Sequence, residues 1–255
     1  MKIIKNTSTS NFCIKALVVT LLLLASFQSS YAQNSKLDSM MRAYGMVDIQ
    51  ALAPGILVEL KYSTTDNFVG ADMYGDLERA YLEKEFAKKV VKAQEILQKR
   101  FPKYTLLIYD AARPISTQRT MRKIVSGTEF EKFVADGTKG GRHNYGVGVD
   151  LTIATIDGGK PLDMGAGFDD FTDAASVKGT PDTSDPATRS LEVYRKYANN
   201  MVAKGIISEK AANNRMILFE VMLEAGLYPY RREWWHYEEI TSMETIRANF
   251  KMLDF

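Results

Sequence analysis

An α+β fold is what this sequence predicts: a single domain with a mostly antiparallel sheet and flanking helices. Three observations lead there. Stretches of helical spacing and short apolar strand runs both occur, and they do not alternate strictly, which argues against repeated parallel βαβ units. The chain has 255 residues, enough for one sizeable domain. Its composition, 45% apolar and 25% charged, excludes a disordered or collagen-like chain.

The elements follow in order. Residues 36–44 predict a short helix, and Gly55–Tyr62 (GILVELKY) reads as a strand. Residues 77–99 place Leu77, Ala80, Tyr81, Val90, Val91, Ile96 and Leu97 at near-helical spacing with no Gly or Pro between them, which predicts one long helix. Tyr104–Tyr109 (YTLLIY) is a short apolar strand between Pro102 and Pro114. Pro114 suits the first turn of a helix running to about Ile124. Gly148–Ile153 (GVDLTI) is a strand closed by a turn at Asp157, Gly158 and Gly159. Residues 157–186 are rich in Gly, Asp, Pro and Thr, and connections that long usually carry function or movement. Helices are predicted at 187–203 and 208–224, with Ser208 as an N-cap and Gly226 as a stop. Residues 227–240 form a final strand region.

Ahead of these elements, residues 1–32 have the pattern of a secretory signal peptide. Lys2, Lys5 and Lys15 come first, then the apolar run Ala16–Ala25, then small residues at Ser30 and Ala32. The run is about ten residues, whereas a spanning helix needs roughly 20, so cleavage after Ala32 is expected rather than a stable membrane anchor. Cys13, the single cysteine, falls within this segment. The remaining chain then has no disulfide framework and no Cys-rich zinc module. It also loses three basic residues and no acid, leaving a net charge of −1. No basic field remains to attract nucleic acid. A secreted, periplasmic protein is expected.

There are two histidines, and each has a carboxylate nearby. His143 lies seven residues before Asp150, and His236 lies three after Glu233. A hydrolytic zinc site uses three protein ligands and one open position, and two histidines with one aspartate supply that number. The other carboxylate is then free to take a proton from metal-bound water. Residues seven apart on a regular strand point to opposite faces, but Gly146 and Gly148 allow the chain to turn between His143, on a loop, and Asp150, on the strand that follows. Glu233 and His236 share a face on a helical turn but not on a flat strand. The aromatic segment Glu233–Tyr237 (EWWHY) favours strand, so a bulge or irregular turn is required there.

These residues resemble a known family. His143, Gly146, Gly148 and Asp150 are similar to the SxHxxGxAxD motif of zinc D-Ala-D-Ala peptidases, and Glu233–Tyr237 to their second zinc segment. Three further segments resemble the VanX-type D-alanyl-D-alanine dipeptidases: Leu60–Phe68 (LKYSTTDNF), Tyr109–Pro114 (YDAARP) and Met164–Asp169 (MGAGFD). The resemblance runs from about residue 55 to 240 and implies a scaffold shared with Hedgehog-type domains. It implies that His143, Asp150 and His236 ligate one zinc ion, and that Glu233 is the general base and later the acid. It also implies that Arg113 stabilises the oxyanion, and that Asp169, helped by Tyr62, binds the free ammonium of a small peptide substrate. An N-blocked peptide would leave Asp169 desolvated and unpaired, which costs several kcal/mol. The chain departs from the motif at Gly141, where the family has serine, and at Gly148, where it has alanine. One missing hydroxyl contact costs on the order of 1 kcal/mol.

The expected activity is hydrolysis of D-Ala-D-Ala or a related cell-wall dipeptide. Two rivals stand beside it. One is a D,D- or L,D-carboxypeptidase acting on longer wall peptides, and the other is a non-catalytic wall-binding module. A His, His, Asp set also accepts Fe, Co or Ni.

Overall fold

The computed structural model describes residues 36–135, 137–178 and 189–255. The expected signal peptide, residues 179–186 of the long connection and the first residues of the helix expected at 187 lie outside these. Lys36–Phe255 forms one compact unit.

Helix α1 spans Lys36–Ala43. The short strand β1, Val47–Asp48, leads into the one-turn helix α2, Ile49–Leu52, whose first turn is capped by the Asp48 side chain. Strand β2 is only Leu57–Val58, and a 3₁₀ turn at Lys61–Ser63 follows. The longer strand expected over 55–62 is thus cut short. The turn is needed because the carbonyl of Tyr62 accepts from the amides of Met73 and Tyr74.

The helix expected over 77–99 also divides. Tyr81–Leu82 is strand β3, paired antiparallel with β1, and helix α3 begins only at Lys84 and ends at Arg100. Glu83 is the reason: its carboxylate accepts from the amides of Glu85 and Phe86 and caps the helix there. The buried Tyr81 and Leu82 resemble one more helical turn in sequence, but they form strand.

Strand β4, Tyr104–Asp110, is followed by helix α4, Ile115–Val125, with Pro114 at its N-cap. Strand β5 is Gly148–Thr155. Helix α5 is Leu191–Ala203, starting behind the N-cap Ser190, and helix α6 is Glu209–Glu224, capped by Ser208 as expected. Gly226 has φ 85°, the left-handed conformation of a helix stop. Strands β6, Tyr228–Tyr230, and β7, Glu233–Glu238, and helix α7, Met243–Asn249, complete the order.

The main sheet has the order β2-β4-β5-β7-β6, parallel between β2 and β4 and antiparallel elsewhere. Helix α3 packs on β4 and on α6, and α6 packs on α5. Phe86, Val90 and Leu97 of α3 and Leu218, Phe219 and Met222 of α6 are buried in this core. Such side chains each contribute about 1.5–3 kcal/mol by leaving water. Among the described residues no helix is long and apolar enough to cross a membrane.

Two details of pairing shape the site. A register shift after Ile108 sets Asp110 opposite Asp150, and Asp150 is opposite His236, so three polar residues cross three neighbouring strands in a row. In the β6–β7 pair, Pro229 faces Tyr237 but Tyr230 faces Glu233. Trp234, Trp235 and His236 therefore have no partner on β6, the irregularity that the sequence pattern required, while His236 stays paired with Asp150 on β5. The end of the chain returns to this region. The amide of Leu253 donates to the carbonyl of Asn144 at 2.8 Å, and its carbonyl accepts from the amide of Ile115 at 2.9 Å.

Candidate active site

His143 stands on a 3₁₀ turn, Arg142–Tyr145, that ends at Gly146. Gly146 has φ 70°, and a Cβ there would lie 2.6 Å from Met46 Sδ and 2.9 Å from the Glu83 nitrogen. Only glycine fits both the conformation and the space. The turn that the spacing demanded between His143 and Asp150 is thus made at Gly146, while Gly148 begins β5.

The three expected ligands meet. His143 Nε2 lies 3.1 Å from His236 Nδ1 and 3.3 Å from Asp150 Oδ1, and the last two are 2.9 Å apart. Among the described residues these three form the group of His, Cys, Asp or Glu side chains able to share an ion. Donors bound tetrahedrally to zinc at about 2.1 Å lie about 3.4 Å from one another, so the set fits a small divalent cation. The far sides of the rings are also arranged for this. His143 Nδ1–H donates to the carbonyl of Ala111 at 2.7 Å, which leaves Nε2 with its lone pair toward Asp150. His236 Nε2 is 3.5 Å from Glu238 Oε2, and Arg142 is paired to that same carboxylate.

Burial disfavours charge on His236, but Asp150 and Glu238 outweigh it and raise the pKa to about 10. Burial likewise resists ionisation of Asp150, yet the adjacent imidazoles hold its pKa below the ordinary carboxylate range.

Glu233, from the start of β7, lines the same cavity of about 500 Å³. It is partly exposed and makes no hydrogen bond through its carboxylate among the described residues. Burial pushes its pKa up to about 7, with His236 pulling the other way and Asp150 adding to the rise.

Arg113 is buried beside the candidate ligands, its amide donating to the carbonyl of His143 at 2.9 Å. Its Nε donates to Asp110 Oδ2 at 3.1 Å and its Nη1 to Gln118 Oε1 at 2.9 Å, and Nη2 also pairs with Asp110. Three of the five guanidinium N–H groups are thereby used, and two remain. Its plane lies over the Tyr62 ring, 4.9 Å from the centroid. Tyr74 braces the arrangement from behind, its hydroxyl donating to Asp110 Oδ1 at 2.7 Å.

Asp169 marks the other end of the cavity. The Tyr62 hydroxyl is 3.1 Å from both of its carboxylate oxygens, and the Phe68 amide donates at 3.4 Å. Burial raises the pKa of Asp169 well above the ordinary range, with the charge of Asp150 adding to it. A cationic partner would reverse that shift.

The profile of one protein family, described as D-ala-D-ala dipeptidase (Peptidase_M15), matches residues 42–191 and 194–253. The chain belongs to this family. It is a peptidase of the D-ala-D-ala dipeptidase family, and its candidate metal site agrees with a family of metallopeptidases. A D-alanyl-D-alanine dipeptidase of Escherichia coli is 29% identical over 193 residues, covering 76% of this chain and 83% of the relative. One of Enterococcus faecalis is 27% identical over 212 residues, covering 77% and 92%. One of Enterococcus faecium is 26% identical over 212 residues, covering 76% and 90%.

All seven residues named from the sequence line or adjoin this dipeptidase-family cavity: Tyr62, Arg113, His143, Asp150, Asp169, Glu233 and His236. Sequence reasoning missed Asp110, Tyr74, Gln118 and Glu238. Asp110 had a signal, a carboxylate three residues before an arginine in one motif. Tyr74 and Gln118 had none, because they meet Asp110 and Arg113 only through the fold. The Gly141 position leaves room: among the described residues a Cβ there would contact only the Ala135 Cβ, at 3.4 Å. Gly148 is tighter than a mild change from alanine implies, since a Cβ would lie 3.0 Å from Arg142 Cβ and 3.2 Å from His236 Cε1.

Proposed function

We propose that this chain is a secreted zinc dipeptidase that hydrolyses D-Ala-D-Ala or a closely related cell-wall dipeptide in the periplasm, exported by residues 1–32. The observation that carries the reading is the meeting of three candidate ligand atoms 2.9–3.3 Å apart in one cavity with Glu233, whose carboxylate makes no hydrogen bond among the described residues. The names of the relatives supply the substrate class.

His143, Asp150 and His236 would hold the ion, which when bound supplies an electrophile for the scissile carbonyl and acidifies water. Asp169, braced by Tyr62, takes the substrate ammonium. Arg113 offers its two unused N–H groups to the carbonyl oxygen as negative charge develops there. Its pairing with Asp110 and its stacking on Tyr62 keep that fork from swinging away. Glu233 removes a proton from the attacking water, keeps it on its carboxyl, and passes it to the departing amine nitrogen.

Asp169 favours a dipeptidase over a carboxypeptidase acting on longer peptides, because it closes the cavity with an acid suited to a free amino end. Glu233 favours an enzyme over a wall-binding module, because holding a cation does not require it. The test is D-alanine release from D-Ala-D-Ala, and from its N-acetylated form, with and without a chelator. Release from the free dipeptide, lost with chelator and restored by zinc, is expected. Preferred hydrolysis of the acetylated form would favour the carboxypeptidase. No turnover by zinc-loaded protein that still binds wall fragments would favour the module.

A further inference from the structure

Asp169 has φ 60°, which makes it the one described non-glycine residue in the left-handed region. It sits in a segment, residues 162–178, whose only regular element among the described residues is a short 3₁₀ turn at Asp173–Ala175. Backbone bonds tie only its flanks, Leu162 N–H to the Ile153 carbonyl at 2.8 Å and Val177 N–H to the Arg231 carbonyl at 3.0 Å, and do not set the place of Asp169.

Helix α6 does. Arg215 Nε donates to the carbonyl of Met164 at 2.6 Å, Nη1 to that of Ser176 at 3.1 Å and Nη2 to that of Ala174 at 2.6 Å. The preceding residue, Asn214, donates through Nδ2 to the carbonyl of Asp163 at 2.7 Å. One rigid fork thus joins both ends of the loop between Met164 and Ser176. Arg215 is 1% exposed and has no ion pair among the described residues, and its guanidinium lies 6.0 Å from the Trp234 ring centroid. Burial lowers its pKa to about 10. A buried cation matched only by carbonyls is costly, and an apolar chain of similar length would fill the space. Between the clamped ends, Phe168 packs on Tyr62 and Trp235, and Phe171 stacks on Phe133.

We infer that Arg215 is a positioning residue for the substrate's amino end: it closes the loop so that Asp169 faces Tyr62, and so sets the preference for a free ammonium. This rests on the dipeptidase reading.

The test uses the full, zinc-loaded chain with Arg215→Met and Arg215→Lys. Hydrolysis of D-Ala-D-Ala and of its N-acetylated form is measured alongside amide exchange over residues 164–176. Arg215→Met should raise KM for the free dipeptide about tenfold with a smaller change in kcat, and should shrink the preference over the acetylated form by a similar factor. Exchange in the loop should rise while β5, β7 and zinc content stay as in wild type. Arg215→Lys, with one ammonium for three carbonyls, should fall between. In an Asp169→Asn background, Arg215→Met should add less than about twofold. Should Arg215→Met not fold, Asn214→Ala, which removes the tie to Asp163, should show the same pattern more weakly. Unchanged selectivity and loop exchange in an active enzyme would overturn the inference alone, as would losses additive with Asp169→Asn. A wild type that cleaves neither substrate would overturn the dipeptidase reading, and the substrate half of this inference with it. Loop exchange would then still decide whether Arg215 acts as a clamp.

Discussion

Asp150 and His236 reach the cavity from directly paired positions on β5 and β7, whereas Asp169 reaches it from a loop tied down by the side chains of α6. In the first region the ladder fixes the distance between functional groups. In the second, side-chain hydrogen bonds to carbonyls do that work around one strained residue. Two of the three residues for the cation are thus part of the sheet, with His143 on the turn that leads into β5, and the partner for the ammonium stands on a separate loop. Chemistry and selectivity should therefore separate under mutation.

The strongest way to break this division is to alter the chemical end alone. Glu233→Ala should lower kcat by about 10³-fold or more while metal content stays at one ion per chain. Joint loss of metal and activity would show that Glu233 supports the cluster itself. Altering the other end gives the next effect. Asp169→Asn should lower kcat/KM for free D-Ala-D-Ala by about 10–100-fold, and leave the acetylated peptide nearly unchanged.

Acidity sharpens the comparison further. In metal-free protein the folded pKa of Glu233, about 7, stands above its unfolded value of 4.5. Its contribution to stability is then fully present below pH 4.5 and lost as pH rises through 7. Metal-free Glu233→Gln, which keeps the neutral form, should therefore gain on wild type across that window. The gain should reach about 1–2 kcal/mol by pH 8.5, after allowance for partial exposure. Denaturant unfolding at several pH values measures it, and a bound cation should shrink the gap. The smallest effect is expected at Gly141, whose extended backbone accepts a side chain. Gly141→Ser should fold normally and lower KM for the dipeptide by severalfold, about one hydrogen bond's worth.

The same contrast explains what the sequence made legible. The candidate ligands could be named because the chain has just two histidines, each near a carboxylate, and their spacing called for a turn and a strand irregularity, which exist at Gly146 and at Trp234–His236. Asp169 could be named by resemblance alone, since nothing in its local sequence distinguishes it from the acids around it. Its anchors were illegible: Arg215 lies 46 residues away in a helix buried on most of its sides, and it bonds carbonyls, which leave no trace in residue identity. The misjudged elements share that origin. Tyr81 and Leu82 carry helical spacing, and only the Glu83 cap and the pairing with Val47 and Asp48 make them strand.

Leu253 gives the molecule an unexpected practical dependence. Its amide holds the residue after His143, and its carbonyl holds the opening of the helix two residues after Arg113. Anything that dislodges Leu253 would slacken two proposed functional groups together, and the preparation would look like a poor enzyme.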